Sequence, residues 1–323
     1  MFWKNLHKPF FAMAPMADVT DVAFRALVAK RGAPDVFWTE FVSADGLYHT
    51  REIKKMKDEE NPLMRDLAFD KSERPIVAQI FSSKPAMITY ATKLISELGF
   101  NGVDLNMGCP DRAIERQGCG SAMIKTPKLA REIIRAAQEA SSLPVSVKTR
   151  VGYTIESLDE WLTTLLEAAP AAITLHLRTR KQMSLVAADW GLMKKAVDIR
   201  DRVNPDVLLI GNGDVRDLDD ARARAAESGC DGVMLGRAMF GNPWVFAGRK
   251  NEDTPLAEKL AALIELARGF EKISPPKNFA ILKKHIKAFV TGFAGAAELR
   301  SELMTAGNAS ELEKVIASFA ART

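Results

Sequence analysis

Cysteine and histidine are scarce in this chain of 323 residues. The three cysteines, Cys109, Cys119 and Cys230, are too few for a disulfide framework, and no CxxC pair suggests structural zinc. Only four histidines are present, which argues against a histidine-built metal centre. We therefore expect no metal and a reducing, cytoplasmic environment.

Long apolar runs and a strong charge imbalance are also missing. No run approaches the roughly 18 apolar residues of a membrane span, and the first eight residues lack the apolar core of an export signal. Lysine and arginine number 45 against 41 aspartate and glutamate, a formal charge of +4. This excess permits a nucleic-acid partner without requiring one. We expect no membrane partner and a monomer.

Short apolar runs that alternate with amphipathic stretches organise the first 240 residues. Most runs are rich in Val, Ile, Leu or Phe, as in strands buried on both faces. A doubly wound sheet is the alternative, but it usually has fewer strands, and no GxGxxG follows any strand here. The pattern favours a (β/α)8 TIM barrel. The predicted strands are Phe11–Met16, Val36–Glu40, Ile76–Phe81, Gly102–Met107, Val145–Thr149, Ala172–Leu177, Val207–Gly211 and Gly232–Leu235.

The pattern changes after Trp244, where no convincing strand remains. We predict a catalytic barrel domain over residues 1–248 and a small all-α helical bundle over residues 249–323. The predicted helices of that bundle are Leu256–Ile273, Asn278–Thr291, Ala296–Ala306 and Ser310–Ala320.

The loops after the last two strands have the composition of a phosphate site. Gly211-Asn212-Gly213 and Gly236-Arg237 allow close backbone approach and expose N–H groups, and the arginine adds a fixed cation. Loops at these two positions bind phosphate in many barrels. The alternative is that the glycines only make tight turns. No Walker motif is present, so the phosphate need not belong to a nucleoside triphosphate.

Polar residues at three other strand ends carry candidate chemistry. Cys109 lies in a Gly-Cys-Pro loop on the catalytic face, although a lone cysteine is most often a small core residue. A free thiol has a pKa of about 8.5, so it can serve as a general acid at neutral pH. Lys148 interrupts a β-branched strand and needs an anionic partner to offset desolvation. His176 ends another strand, where a capped core histidine is the alternative. Cys119 and Cys230 are interpreted as packing residues.

The predicted helical bundle contains a cluster of basic residues. Lys277, Lys283, Lys284, His285 and Lys287 lie close in sequence with no acid among them. A solvated face and a contact to RNA phosphates are both open interpretations.

Several segments together resemble the tRNA-dihydrouridine synthase family, FMN-dependent barrel enzymes that reduce uridine in tRNA. The resemblance covers almost the whole chain, and the order of the segments is specific. Ser184–Ala187 departs from the family, which often has an aromatic residue and a glycine there. The matching segments are Met13–Asp21, Val103–Pro110, Val147–Gly152, His176–Arg180, Ala188–Trp190, Gly211–Val215, Gly232–Ala238 and Gly292–Arg300.

The resemblance implies FMN as cofactor, NADPH as reductant, tRNA as partner and a role for each site residue. Cys109 would be the proton donor, and Asn106 and Arg178 would face the uracil. Lys148 would lie beside the flavin atoms that collect negative charge, and His176 near its ribityl-phosphate side. The remaining cofactor-binding residues would be Pro15, Met16, Ala17, Gln79, Asn212, Gly213, Asp214, Gly236 and Arg237.

Two other functions remain open at this point. An FMN-dependent barrel oxidoreductase acting on a free small molecule, like a dihydroorotate dehydrogenase, would share the phosphate loops and the lysine, but would not explain the basic helical segment. An RNA-binding protein with an inert barrel would not explain the intact Cys109, Lys148 and phosphate loops.

Overall fold

A computed structural model describes residues 2–322 and contains one parallel sheet of eight strands. The strand order is β1-β8-β7-β6-β5-β4-β3-β2. The Met13 N–H donates to the Val36 carbonyl at 3.1 Å, which brings the first strand against the chain entering the second. The predicted (β/α)8 TIM barrel is confirmed. The strands are β1 (Phe10–Met13), β2 (Phe37–Ser43), β3 (Ile76–Phe81), β4 (Gly102–Met107), β5 (Val145–Arg150), β6 (Ala172–His176), β7 (Leu208–Asn212) and β8 (Gly232–Leu235).

Helices cover the outside of the sheet, and their ends follow local sequence signals. The Asp21 side chain accepts from the Phe24 N–H at 3.0 Å and caps the first helix. Pro85 and Pro127 begin the helices after β3 and β4, where a missing N–H costs nothing. The helices are α1 (Val22–Gly32), α2 (Ala44–Tyr48), α3 (Pro62–Asp66), α4 (Pro85–Glu97), α5 (Arg112–Glu115), α6 (Pro127–Ala140), α7 (Leu158–Glu167), α8 (Gly191–Val203), α9 (Leu218–Ser228), α10 (Leu256–Glu271), α11 (Lys283–Phe289), α12 (Ala296–Leu303) and α13 (Ala309–Ala320).

The apolar core has an inner and an outer part. The inner cluster includes Trp3, Phe10 and Trp38, and the Trp3 and Trp38 rings lie 5.9 Å apart. The larger outer cluster joins the sheet to the surrounding helices and continues into the C-terminal helices. Burial of this apolar surface is the main stabilising term of the barrel.

The C-terminal helices lie directly on the barrel. Helix α10 packs against α1, and Leu263 and Phe270 belong to the same buried cluster as Phe24. The Glu265 carboxylate accepts from the Lys30 side chain at 2.9 Å across this contact. Residues 249–322 contain no strand, in line with the sequence pattern. The division of the chain at residue 248 stays a prediction.

The basic cluster of the helical segment is smaller than the sequence indicates. Lys277 is buried, and its ammonium group bonds the Glu40 carboxylate at 2.7 Å and the Asp66 carboxylate at 3.3 Å. Its grouping with the other lysines was wrong, because its acidic partners lie more than 200 residues earlier. Lys284 and Lys287 are exposed. Across residues 2–322, no helix is long and apolar enough to cross a membrane.

Candidate active site

A concave pocket opens at the carboxyl ends of the strands. Parallel strands place all their carboxyl ends on one rim, so short stretches far apart in sequence meet there. Of the fourteen predicted site residues, twelve line this pocket; the exceptions are Ala17 and Arg178. The twelve are Pro15, Met16, Gln79, Asn106, Cys109, Lys148, His176, Asn212, Gly213, Asp214, Gly236 and Arg237.

Lys148 is a pocket cation without an acidic partner. Its Nζ donates to the Asn212 Oδ1 at 3.2 Å, and the Asn212 amide in turn donates to the Met234 carbonyl at 2.8 Å. Among residues 2–322, no carboxylate lies within ion-pair distance of this ammonium group. Burial, and then the charge of Arg150, lower the pKa of Lys148 to about 8. An anionic group in the pocket would stabilise the charged lysine.

His176 presents an unused ring nitrogen in the same pocket. Its Nε2 lies 3.3 Å from a guanidinium nitrogen of Arg178. Arginine has no acceptor, so Nε2 must accept and the ring proton belongs on Nδ1. Nδ1 is buried and has no hydrogen-bond partner in the described part of the chain. Burial, together with the nearby charges of Lys148 and Arg150, lowers the pKa of His176 well below its usual value. A neutral His176 therefore offers one N–H donor to a bound group.

Asp214 holds two arginines at the edge of the pocket. One carboxylate oxygen bonds the Arg178 guanidinium, and the other bonds the Arg237 guanidinium. Although partial burial opposes it, the hydrogen bond from Arg178 holds the pKa of Asp214 below its usual range. The carboxylate cannot itself accept a phosphate, so its side chain orients cations. Arg237 is 64% exposed and keeps further donors free for a ligand.

The loops after β7 and β8 present unpaired backbone donors. Within residues 2–322, the N–H groups of Asp214, Gly236 and Arg237 have no hydrogen-bond acceptor. Gly213 has a φ of +132°, and a Cβ there would lie 2.7 Å from the Ala188 Cβ. The glycine is therefore required for this turn. Free N–H groups beside an arginine form a typical phosphate site.

Cys109 lies in a loop that hydrogen bonds fix on both sides. The Asn106 side chain accepts from the Cys109 N–H at 2.9 Å, and the Ser121 hydroxyl donates to the Cys109 carbonyl at 3.0 Å. Burial raises the pKa of the Cys109 thiol above its usual value. The thiol is therefore protonated at neutral pH and can donate a proton. Cys119 and Cys230 are both buried outside this pocket lining.

Sequence reasoning left two important lining residues out of the site. Arg150 follows Lys148 on β5, and its Nε donates to the Gly108 carbonyl at 2.9 Å. Burial lowers the pKa of Arg150 to about 10. Phe41 also lines the pocket, because β2 runs three residues beyond its predicted end at Glu40. The polar end of β5 was a usable signal for Arg150, whereas Phe41 required the true strand end.

The two predicted residues outside the lining have different surroundings. Ala17 is exposed beyond the carboxyl end of β1. Arg178 is buried behind the pocket wall, where its Nε donates to the Val186 carbonyl at 2.6 Å. It therefore ties the Ser184–Ala187 loop to the site, and its contact with substrate stays a prediction. Leu185 in that loop is 85% exposed.

The pocket carries excess positive charge and no metal cluster. Lys148, Arg150 and Arg237 line it, and Asp214 is the one carboxylate among its lining residues in the described chain. In residues 2–322 no group of three or more His, Cys, Asp or Glu side chains could hold a metal ion. The arrangement suits an anionic organic group with acceptor oxygens on one side and a neutral thiol on the other.

Solved structures with a similar fold are oxidoreductases of very different sequence. A 2-naphthoyl-CoA reductase complex aligns with a TM-score of 0.57 and 11% identity, covering 75% of this chain and 50% of that chain. Morphinone reductase aligns with a TM-score of 0.53 and 13% identity, covering 79% and 90%. At these identities the likeness supports the barrel fold alone.

Sequence relatives are much closer. A probable tRNA-dihydrouridine synthase of Staphylococcus aureus (strain COL) is 39% identical over 99% of this chain and 96% of its own length. A probable tRNA-dihydrouridine synthase 2 of Bacillus subtilis (strain 168) is 39% identical over 98% and 96%. The family model described as dihydrouridine synthase matches residues 12–322. The chain therefore belongs to the dihydrouridine synthase family.

Proposed function

We propose that this protein is a tRNA-dihydrouridine synthase that reduces the 5,6-double bond of uridine in tRNA, with FMN as cofactor and NADPH as reductant. The observation that carries the proposal is the pairing of a cationic, donor-rich pocket wall with the protonated thiol of Cys109. Family membership supports the tRNA substrate, because the curated relatives bear that name.

The residues of the pocket fit FMN. The free N–H groups of Gly236 and Arg237, with the Arg237 guanidinium, would hold its phosphate. The Nδ1–H of His176 would donate to an oxygen near the same side. Lys148 would lie beside the flavin ring and gain the anionic partner that this chain does not give it. When bound, FMN would supply the chemistry that accepts hydride from NADPH and delivers it to C6 of the uracil.

The chain's own part in the reaction is orientation, charge stabilisation and proton supply. A uridine inside folded RNA cannot reach this pocket, so it must be extruded from its stack first. Asn106 would then face the uracil, and the Cys109 thiol would give its proton to C5. Hydride at C6 and a proton at C5 balance the loss of the double bond. The raised pKa of Cys109 keeps that proton available at neutral pH.

The purified protein tests this proposal against its rivals. We expect a yellow protein with an FMN spectrum, and NADPH should bleach it. Unmodified tRNA should restore the colour and acquire dihydrouridine, whereas free uridine and orotate should not. A colourless protein that still binds tRNA would favour an inert barrel. A protein that is reoxidised by orotate and not by tRNA would favour an oxidoreductase of small molecules.

A further inference from the structure

A buried carboxylate beneath the pocket has no role in the proposed reaction. Asp104 lies on β4 and is fully buried inside the barrel. Strand pairing sets Gln79 of β3 and Ser146 of β5 directly beside it. Burial of an ionisable group is costly, and it raises the pKa of Asp104 to about 6 despite two hydrogen bonds. Within residues 2–322 the carboxylate forms no salt bridge, so it serves as a hydrogen-bond acceptor.

Hydrogen bonds lead from this carboxylate to the loop of the catalytic thiol. The Gln79 Nε2 donates to Asp104 at 2.6 Å, and the Asn106 Nδ2 donates to the Gln79 Oε1 at 3.0 Å. The Asn106 Oδ1 then accepts from the N–H groups of Gly108 and Cys109 at 3.2 and 2.9 Å. We name Asp104, Gln79 and Asn106 the Asp104 relay.

The two ends of the Asp104 relay fix its direction. An ionised carboxylate only accepts, and a backbone N–H only donates. The two side-chain amides between them can satisfy both ends in one orientation alone, with each nitrogen toward Asp104 and each oxygen toward the Cys109 loop. Gln79 and Asn106 both line the pocket. Their orientation decides which of their atoms face a bound group.

We propose that Asp104 is a positioning residue that orients the amides of Gln79 and Asn106 and thereby fixes the donor and acceptor pattern of the pocket floor and the Cys109 loop. It touches neither cofactor nor substrate. Its effect on FMN binding rests on the proposed function, whereas its effect on the Cys109 loop does not.

A double-mutant cycle tests whether Asp104 acts through Gln79. We expect Asp104→Leu to weaken FMN binding about 2- to 10-fold and to shift the visible spectrum of the bound flavin, because the Gln79 amide loses its anchor. In a Gln79→Leu background the same change should cause no further loss of affinity. An equal further loss in that background would overturn the proposal.

The conservative variant Asp104→Asn separates the acceptor role from the charge. Its oxygen can still accept from Gln79, while its amide nitrogen donates to the Ser146 hydroxyl, which now lies 2.6 Å from the carboxylate. We expect parental FMN affinity and a parental spectrum. Weakening equal to that of Asp104→Leu would show that the charge matters and would contradict the relay.

Two further measurements keep the test decisive. Hydrogen exchange at the Cys109 amide in flavin-free protein should quicken about 2- to 10-fold in Asp104→Leu and remain parental in Asp104→Asn. This readout holds even if the parent protein binds no FMN, which would refute the proposed function alone. If Asp104→Leu does not fold, the double variant with Gln79→Leu removes both polar groups together and should fold. Its FMN affinity should then equal that of Gln79→Leu, and a lower affinity would overturn the relay.

Discussion

Lys148 gives the flavin-free protein a specific pH dependence. Its pKa of about 8 in the folded chain lies below the 10.5 of a free lysine, because burial disfavours the charged form. The unfolded chain therefore binds more protons than the folded chain between about pH 8 and 10.5. Stability should rise with pH across that window and fall as pH drops toward 8.

The magnitude follows from the shift. A difference of about 2.5 pKa units corresponds to at most about 3 kcal/mol, and the Lys148 ammonium borders an open pocket, so this is an upper limit. Between pH 7.5 and 9.5 the free energy of unfolding should rise by up to about 2 kcal/mol from this group. Urea denaturation of flavin-free protein at the two pH values measures it. Lys148→Met serves as the control, and the rise should disappear there.

FMN should reverse the sign of this dependence. An anionic edge beside Lys148 would raise its pKa in the complex, so binding takes up a proton above pH 8. FMN affinity should then weaken about tenfold or more from pH 7.5 to 9.5 in the parent, and much less in Lys148→Met. Identical pH profiles of parent and variant, in both stability and affinity, would refute the assignment of Lys148.

Three further predictions test the phosphate site and the helical segment. Arg237→Ala should weaken FMN binding about tenfold, the low end for a charge-assisted bond because the side chain is mostly exposed; titration of flavin fluorescence measures it, and parental affinity would contradict the phosphate role. Changing Lys283, Lys284 and Lys287 together to Glu should weaken tRNA binding and flatten its salt dependence by about 0.9 per lost phosphate contact, with FMN content unchanged; an unaltered slope would make these lysines a solvated face. Lys277→Met should destabilise the protein by about 3–5 kcal/mol in urea denaturation, because it leaves Glu40 buried and unpaired; a cost as small as that of the exposed control Lys287→Met would refute that ion pair.

Local patterns predicted the barrel and most of its rim. Buried strands and their polar ends are neighbours in sequence, so Cys109 and Lys148 could be assigned to the catalytic face from the run that precedes each one. The phosphate loops were readable for the same reason. Glycines and an arginine mark Gly211–Gly213 and Gly236–Arg237 directly after β7 and β8.

Contacts between distant segments could not be predicted in this way. Lys277 looks like part of a basic surface, because the partner that buries it, Glu40, lies 237 residues away. The directions of Arg150 and Arg178 were also hidden, since both follow strand ends and only packing decides which one lines the pocket. The Asp104 relay depends on the register of three strands, which a single sequence does not state.

The role of Cys109 as proton donor is the central claim, and one kinetic measurement tests it most directly. The flavin is reduced in advance with NADPH, and its reoxidation by unmodified tRNA is timed in the parent, in Cys109→Ala and in the controls Cys119→Ala and Cys230→Ala. We expect reduction by NADPH to be unchanged in every variant, because it needs no thiol. Reoxidation should slow about 10²- to 10⁴-fold in Cys109→Ala and far less in the two controls, whose thiols are buried away from the pocket. Reoxidation of Cys109→Ala at the parental rate would remove this cysteine from the mechanism.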